Sequence, residues 1–362
     1  MKILHVITSM RIGGAERLVS QLLPKFRQRG AEVHAAIFDG TDTPFLQSLE
    51  KEDVTLHLLG HGYRSMYDPR NILRLQRILR QGFDIVHTHN TTPQLFTAMV
   101  RTPESTRLVT TEHNTSNRRR GHTLLRQLDR WMYRRYDRIV CCSTPVETSL
   151  IDSLDMPSLT PRILTIANGI DLGQFSGSRH TITPGKVNIL MVAAFREQKD
   201  HLTPLRALAM LPPEVTLTYA GDGATRTATQ EAARALGVAD RVRFTGNVAD
   251  IPGLYRQADI ALLSTRHEGL SLSTVEAMAS GMPLIVSDVP GVSEIVGDGA
   301  LRFPFGDARA LAARITSLLD NPALYAATAR KGAERARLYD ITVTADEYFN
   351  LYSSLISNKT NS

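Results

Sequence analysis

The chain has 362 residues, of which 42% are hydrophobic and 22% charged; this exceeds what one core usually supports and is far from the composition of disordered chains, so two globular domains are expected. Its two cysteines, Cys141 and Cys142, are adjacent, which excludes a disulfide framework or a zinc ribbon and points to a reducing compartment. The net charge of +6 lies in the first half, where residues 1–175 carry 23 Lys/Arg against 17 Asp/Glu while the remainder carries 19 of each.

The opening run from Met1 to Thr8 is too short and too polar for a secretory signal and reads as a first strand. Nowhere does an apolar run approach the roughly 18 to 20 residues needed to cross a bilayer, so any membrane contact is expected to be peripheral. Further strands are predicted at 32–37, 54–58, 84–88, 107–111, 138–141 and 163–166, alternating with helices near 15–28, 70–80, 92–100, 121–135 and 144–151. That alternation is the pattern of a parallel sheet built from βα units. Residues 176–186 are polar, contain Gly and Pro, and lack periodicity, so they are expected to link two domains, residues 1–175 and 186–342. The alternation restarts with strands at 187–192, 215–220, 242–245, 259–263 and 284–286 and helices near 201–210, 226–236, 251–257 and 272–280. From 308 to about 357 the pattern is helical, with a break at Asn321-Pro322 and a new start at Asp340; the last helix, 343–357, is expected to pack back on the first domain.

Two doubly wound sheets bind ligands beyond the carboxyl ends of their strands. The most informative stretch there runs from His267 through Glu268-Gly269-Leu270-Ser271 to Glu276-Ala277-Met278-Ala279. It joins a predicted strand to a predicted helix, and the N–H groups near Leu270 to Ser273 would form a phosphate seat at the positive end of the helix dipole. Glu268 in the turn and Glu276 in the second helical turn would meet one ligand at different heights. Read alone, Glu268 equally caps the helix and Glu276 equally serves as a solvated helical glutamate.

The same stretch resembles the signature of the family 4 glycosyltransferases, retaining enzymes of GT-B type, in which two glutamates have seven residues between them, with Gly after the first and Glu-Ala-Met-Ala at the second. Gly13-Gly14-Ala15-Glu16-Arg17 is similar to the family's glycine-rich loop, Thr110-Thr111-Glu112-His113-Asn114 to its histidine segment, Asn168-Gly169-Ile170-Asp171 to its NGID element, and Ala220-Gly221-Asp222-Gly223 to its AGDG element. Several matches in the right order are more specific than any one. The resemblance implies an α/β GT-B fold, two Rossmann-like domains facing across a cleft. It implies a first domain binding a glycan or lipid-linked acceptor and a second binding the nucleoside-diphosphate sugar, a substrate rather than a cofactor, in contact with Gly221, Gly269, Leu270, Ser271 and Glu276. Gly13 and Gly14 would lie at the ligand edge of the first domain.

A departing diphosphate needs fixed positive charge where no metal supplies it. The resemblance implies an arginine five residues before Lys199, but Ala194 stands there; Arg196, the only arginine nearby, is expected to supply the cation beside Lys199. His113 is expected to hold a sugar hydroxyl. His87 and His89 form a weak metal set without a carboxylate or thiolate, and packing at a strand end explains them better. No Asp-x-Asp pair, P-loop or intact Gly-x-Gly-x-x-Gly occurs, so a metal-independent transferase is expected rather than a kinase or a dehydrogenase.

Residues 118–138 hold eight arginines and two aspartates. Within the predicted helix Leu124, Leu128, Trp131 and Met132 fall on one side and Arg126, Arg130 and Arg134 on another, a pattern that suits either anionic lipid headgroups or a core-packed helix with a solvated basic face. Stacking aromatics are few and no recognition motif is present, so nucleic acid is not an expected partner. The expected protein is a cytoplasmic glycosyltransferase acting at the inner face of the cell membrane. It would transfer a sugar from a UDP-sugar, or second to that a GDP-sugar, to a lipid-linked or cell-surface polysaccharide precursor. A GT-B nucleotide-sugar epimerase and a non-catalytic sugar-nucleotide-binding protein stay open as alternatives.

Overall fold

The computed structural model describes residues 1–11, 13–113, 123–176, 185–248 and 250–357. It divides into two compact units, Met1–Gly169 with Ile341–Ser362, and Ile170–Asp340.

In the first unit the chain runs through β1 (Lys2–Ser9), α1 (Gly14–Gln28), β2 (Glu32–Asp39), α2 (Pro44–Glu50), β3 (Thr55–Leu58), α3 (Arg70–Leu79), β4 (Ile85–His89), α4 (Thr91–Met99), β5 (Arg107–Glu112), α5 (Thr123–Arg134), β6 (Arg138–Cys141), α6 (Thr144–Leu154) and β7 (Ile163–Thr165). The second unit comprises β8 (Val187–Val192), α7 (Leu202–Leu208), β9 (Val215–Ala220), α8 (Arg226–Ala235), β10 (Val242–Gly246), α9 (Ile251–Arg256), β11 (Ile260–Leu263), α10 (Leu272–Ala279), β12 (Leu284–Ser287), α11 (Ser293–Val296), β13 (Leu301–Phe303), α12 (Ala308–Asp320) and α13 (Pro322–Ala336). The final helix, α14 (Ile341–Ser357), belongs to the first unit again.

Each unit is built on a parallel sheet, seven-stranded in the order β3-β2-β1-β4-β5-β6-β7 and six-stranded in the order β10-β9-β8-β11-β12-β13. Strands covered on both faces are rich in aliphatic residues, and the cores follow from this. Ile3, Ile7, Val33, Ile37, Ile85 and Val109 pack against Leu18, Leu22 and Phe26 of α1 and Tyr348 and Tyr352 of α14. Ile189, Met191, Leu217, Leu262 and Ile285 pack against Leu205 of α7, Val275 and Met278 of α10 and Ile315 of α12.

The division does not fall in the polar stretch at 176–186, whose middle, residues 177–184, lies outside the described residues. Ile170 and Phe175 are buried in the second unit's core, and Ile170 pairs in parallel with Asp340. The chain therefore leaves the first unit at Gly169 and re-enters it at Ile341. On return, α14 is tied to the first unit by an Arg29–Asp346 ion pair (2.6 Å) and a Thr344 hydroxyl donating to the Ala167 carbonyl (2.9 Å).

The basic helix also departs from its expected faces. Met132 is buried, but Trp131 is 41% exposed. Arg130 does not join a free basic stripe: its Nε donates to the Leu154 carbonyl at 2.8 Å, at the end of α6. Arg126, Arg134 and Arg135 are exposed, while Arg118 to Arg120 and the Leu124 side chain lie outside the described residues. Among the described residues no helix is long and apolar enough to cross a membrane.

Candidate active site

In the second unit β8 and β11 are neighbours, with β9 and β10 on one side and β12 and β13 on the other. The connections after β8 and β11 thus diverge to opposite sides, which leaves a crevice at the carboxyl ends of these two strands, the place where open α/β sheets take ligands. Lys199 lies on the segment after β8 and Glu268 on the segment after β11, and the Lys199 ammonium forms an ion pair with the Glu268 carboxylate. Their side chains are only 16% and 9% exposed.

The two segments are laced together by their backbones. Lys199 pairs with Thr265 in an isolated antiparallel bridge, the Arg266 N–H donates to the Gln198 carbonyl at 2.9 Å, and the Asp200 N–H donates to the Ser264 carbonyl at 3.1 Å. The Asp200 carboxylate accepts from the Ser264 hydroxyl (2.8 Å) and the Thr203 N–H (3.1 Å). His201 stacks on Phe195 with ring centroids 4.0 Å apart and donates from Nδ1 to the Lys199 carbonyl at 3.0 Å. Burial pushes its pKa down to about 4, so the ring is neutral near pH 7 and fixes the Lys199 backbone without competing for its charge.

Beyond Glu268 the chain enters α10 through Ser271, whose side chain does not cap the helix. Among the described residues the N–H groups of Gly269 to Ser273 make no hydrogen bond, and they stand at the positive end of the helix. Glu276 is 3% exposed and has partners, so it is not a solvated helical glutamate. Gly291, after β12, has φ +81° and lies so close to the Glu268 carbonyl oxygen that an added Cβ would approach it to 2.0 Å. Gly221 has φ +142°, and its Cβ would lie 2.1 Å from the Ala193 carbonyl oxygen; this glycine lets the turn after β9 pack on the segment that leads to Lys199.

At the edge of the first unit, Gly13 caps α1 in an extended conformation and Gly14 opens the helix. The Glu16 carboxylate folds back over Gly13, accepts from Asn90 Nδ2 at 3.3 Å, and is raised in pKa by burial. Asn90, the residue after β4, has φ +69° and ψ 158°, a conformation that costs a non-glycine residue of the order of 1–3 kcal/mol and collects at functional edges. His113 follows β5, and its Nε2 lies 3.2 Å from Nδ1 of His89.

A family model described as "Glycosyltransferase Family 4" matches residues 12–174, and one described as "Glycosyl transferases group 1" matches residues 177–335. The chain belongs to the family 4 glycosyltransferases. The putative glycosyltransferase EpsD of Bacillus subtilis is 25% identical over 92% of each chain. The phosphatidyl-myo-inositol mannosyltransferase of Mycobacterium leprae is 25% identical over 96% of this chain and 94% of its own. Among solved structures, Anabaena HepE in complex with UDP superposes with a TM-score of 0.82 at 19% identity, covering 98% of this chain and all of that one, which shows the GT-B fold; the same protein is also known with UDP-glucose.

In this glycosyltransferase the second unit brings Lys199, Glu268, Gly269, Leu270 and Ser271 to one sheet edge, with Glu276 one turn into the helix behind them. It does not tie Arg196 to them: that side chain is exposed and makes no hydrogen bond or ion pair among the described residues. Gly13, Gly14 and His113 share the carboxyl edge of the first unit's sheet. Sequence reasoning missed Gly291, Asn90 and Glu16. Pro290-Gly291 is a turn signal that could have marked the first, and Glu16 stands inside the glycine-rich element at 13–17 without having been given a role, whereas nothing local marks Asn90.

Proposed function

We propose that this glycosyltransferase transfers a sugar, with retention of configuration and without a metal, from a UDP-sugar, or second to that a GDP-sugar, to a hydroxyl of a lipid-linked or cell-surface polysaccharide precursor. The observation that carries this reading is the meeting, at the second unit's switch point, of the Lys199 cation, the Glu268 carboxylate and a run of unsatisfied backbone N–H groups. A diphosphate takes the N–H groups and draws Lys199 away from Glu268. The freed carboxylate then accepts from the sugar hydroxyls while Glu276 accepts from the ribose. As the sugar–phosphate bond breaks, Lys199 and the helix start hold the charge that develops on the leaving oxygen. That oxygen takes the proton of the attacking hydroxyl, so no protein base is needed. Gly221 acts in this scheme by shaping the Lys199 segment, and Arg196 is a second cation that a bound diphosphate would recruit from the surface. The UDP and UDP-glucose bound by the Anabaena protein support the choice of nucleotide.

Thermal unfolding with a panel of UDP- and GDP-sugars tests the donor. At a hundredfold excess over Kd a true donor stabilises by about 2.7 kcal/mol, an upward shift of roughly 5–10 °C for a unit of this size. The shift and the turnover are expected to survive EDTA. Turnover that needs no acceptor would identify an epimerase, and binding without turnover a non-catalytic module.

Membrane contact at the cytoplasmic face is the second part of the reading, supported by exposed Trp131 and Arg134 on α5 and exposed Arg135 directly after it. An aromatic ring among cations suits an anionic interface. The protein is expected to co-sediment with anionic liposomes at low salt and to be released at high salt. Equal partition into neutral liposomes would remove this surface from the account.

A further inference from the structure

Parallel pairing sets His5 of β1 opposite His87 of β4, and His89 of β4 opposite Thr111 of β5. Side chains two residues apart share a face of a strand, so His87 and His89 share one face of the sheet, and His113 is the residue directly after β5. The rings close into a line: Nδ1 of His5 lies 2.9 Å from Nε2 of His89, and Nδ1 of His89 lies 3.2 Å from Nε2 of His113. The two outer nitrogens, Nε2 of His5 and Nδ1 of His113, are buried and have no partner. His87 stands beside this line with both nitrogens occupied, by the Tyr352 hydroxyl (2.5 Å) and by the Thr111 hydroxyl (2.7 Å).

We propose that His5 and His89 are positioning residues for His113: through two ring-to-ring hydrogen bonds they hold its imidazole in the tautomer that carries the proton on Nδ1, so that it donates to a substrate oxygen. The argument is a proton count. Three neutral imidazoles carry three N–H protons, and each of the two ring-to-ring bonds uses one. The third sits on one outer nitrogen and leaves the other bare. His5 is fully buried, with the Phe26 ring 5.7 Å away, and a proton on its Nε2 would be a buried donor without an acceptor, among the rarest groups in folded proteins. Nδ1 of His113 is buried as well, but the residue is partly exposed and follows β5 at the ligand edge, where a hydroxyl or phosphate oxygen can reach it as an acceptor, whereas the His5 ring lies wholly inside the core. The proton therefore rests on His113 Nδ1, and all three rings share the Nδ1–H form. Burial keeps the chain neutral near pH 7, pushing His5 down to about 3 and His113 to about 4.

Ring nitrogens of His5, His87 and His89 lie within 4.8 Å of one another, the spacing of a metal site. An ion bound there would have to break hydrogen bonds, since every nitrogen of His87 and His89 is already in one. The line of rings is accordingly a hydrogen-bonded chain.

That the oxygen belongs to a glycosyl donor or acceptor rests on the proposed reaction; the tautomers do not. Long-range proton–nitrogen NMR of the full chain labelled with ¹⁵N-histidine is expected to show the proton on Nδ1 of His5, His89 and His113. His89→Phe removes the donor to His113 Nε2, so the Nε2–H form of His113 appears and kcat falls about tenfold with the donor KM within twofold, the size of one lost hydrogen bond. His89→Gln, whose amide can donate to the same nitrogen, is expected to restore both the Nδ1–H signal and most of kcat. A wild-type His113 protonated on Nε2, or an unchanged tautomer in His89→Phe, would overturn the proposal, as would ring signals displaced by stoichiometric Zn²⁺. Absent transfer from every donor would overturn the proposed reaction while leaving the tautomers to be read on their own.

Discussion

Lys199→Ala is expected to lower kcat about a hundredfold at saturating donor, the loss of one preorganised charge that opposes developing negative charge being of the order of 2.7–4 kcal/mol. The same substitution leaves Glu268, 9% exposed, without its cation, and an uncompensated buried carboxylate destabilises the fold. The two effects separate in a cycle with Glu268→Gln. In the double variant the unpaired charge is gone, so the thermal midpoint returns toward that of Glu268→Gln alone, whereas kcat stays at or below the Lys199→Ala value. If kcat recovers together with the midpoint, Lys199 is a partner for Glu268 and nothing more. Steady-state kinetics and thermal unfolding on the four proteins decide between these outcomes.

The alternation of β-branched runs with amphipathic stretches was enough to locate nearly every strand, because a parallel sheet buried on both faces leaves a mark in each strand separately. Elements with weak local marks were lost. α2 begins at Thr43-Pro44, where the threonine hydroxyl accepts from the Leu46 N–H at 3.2 Å; it spans seven residues with no long apolar period. β13 is three residues long, preceded by Gly299-Ala300 and followed by Pro304. The unit boundary was displaced because composition shows the polar stretch at 176–186, whereas the pairing of Ile170 with Asp340 links residues far apart in the chain. The site divides in the same way. Glu268 to Ser271 and Glu276 belong to one helix start and are legible as such. The pairing of Glu268 with Lys199 spans 69 residues, and the histidine line joins β1, β4 and the residue after β5, so each depends on sheet order that no local pattern encodes. Trp131 was misplaced because helical period assigns relative faces and cannot say which face the core covers.

Gly291→Ala is expected to be nearly as damaging as loss of the lysine, although Gly291 carries no side chain to offer a substrate. Its φ of +81° is available to glycine at little cost. A Cβ there would lie 2.0 Å from the Glu268 carbonyl oxygen and 2.9 Å from the carbonyl carbon, distances that only a shift of the backbone can relieve. The residue pushed away is the one whose carboxylate meets Lys199, and a displacement of about 1 Å in a positioned group is enough to cost about a hundredfold in rate. Gly306→Ala is the control: Gly306 has the same φ of +81°, but nothing stands within 4 Å of its Cβ position, so it carries the conformational penalty alone. Both variants are expected to lose about 1 kcal/mol of stability from the backbone, with more in Gly291→Ala from the overlap. Only Gly291→Ala is expected to reduce kcat/KM about a hundredfold and to weaken the thermal shift given by the donor. Equal kinetics in the two variants would mean that the Glu268 turn tolerates displacement, and the close packing at Gly291 would then serve the fold without serving the site.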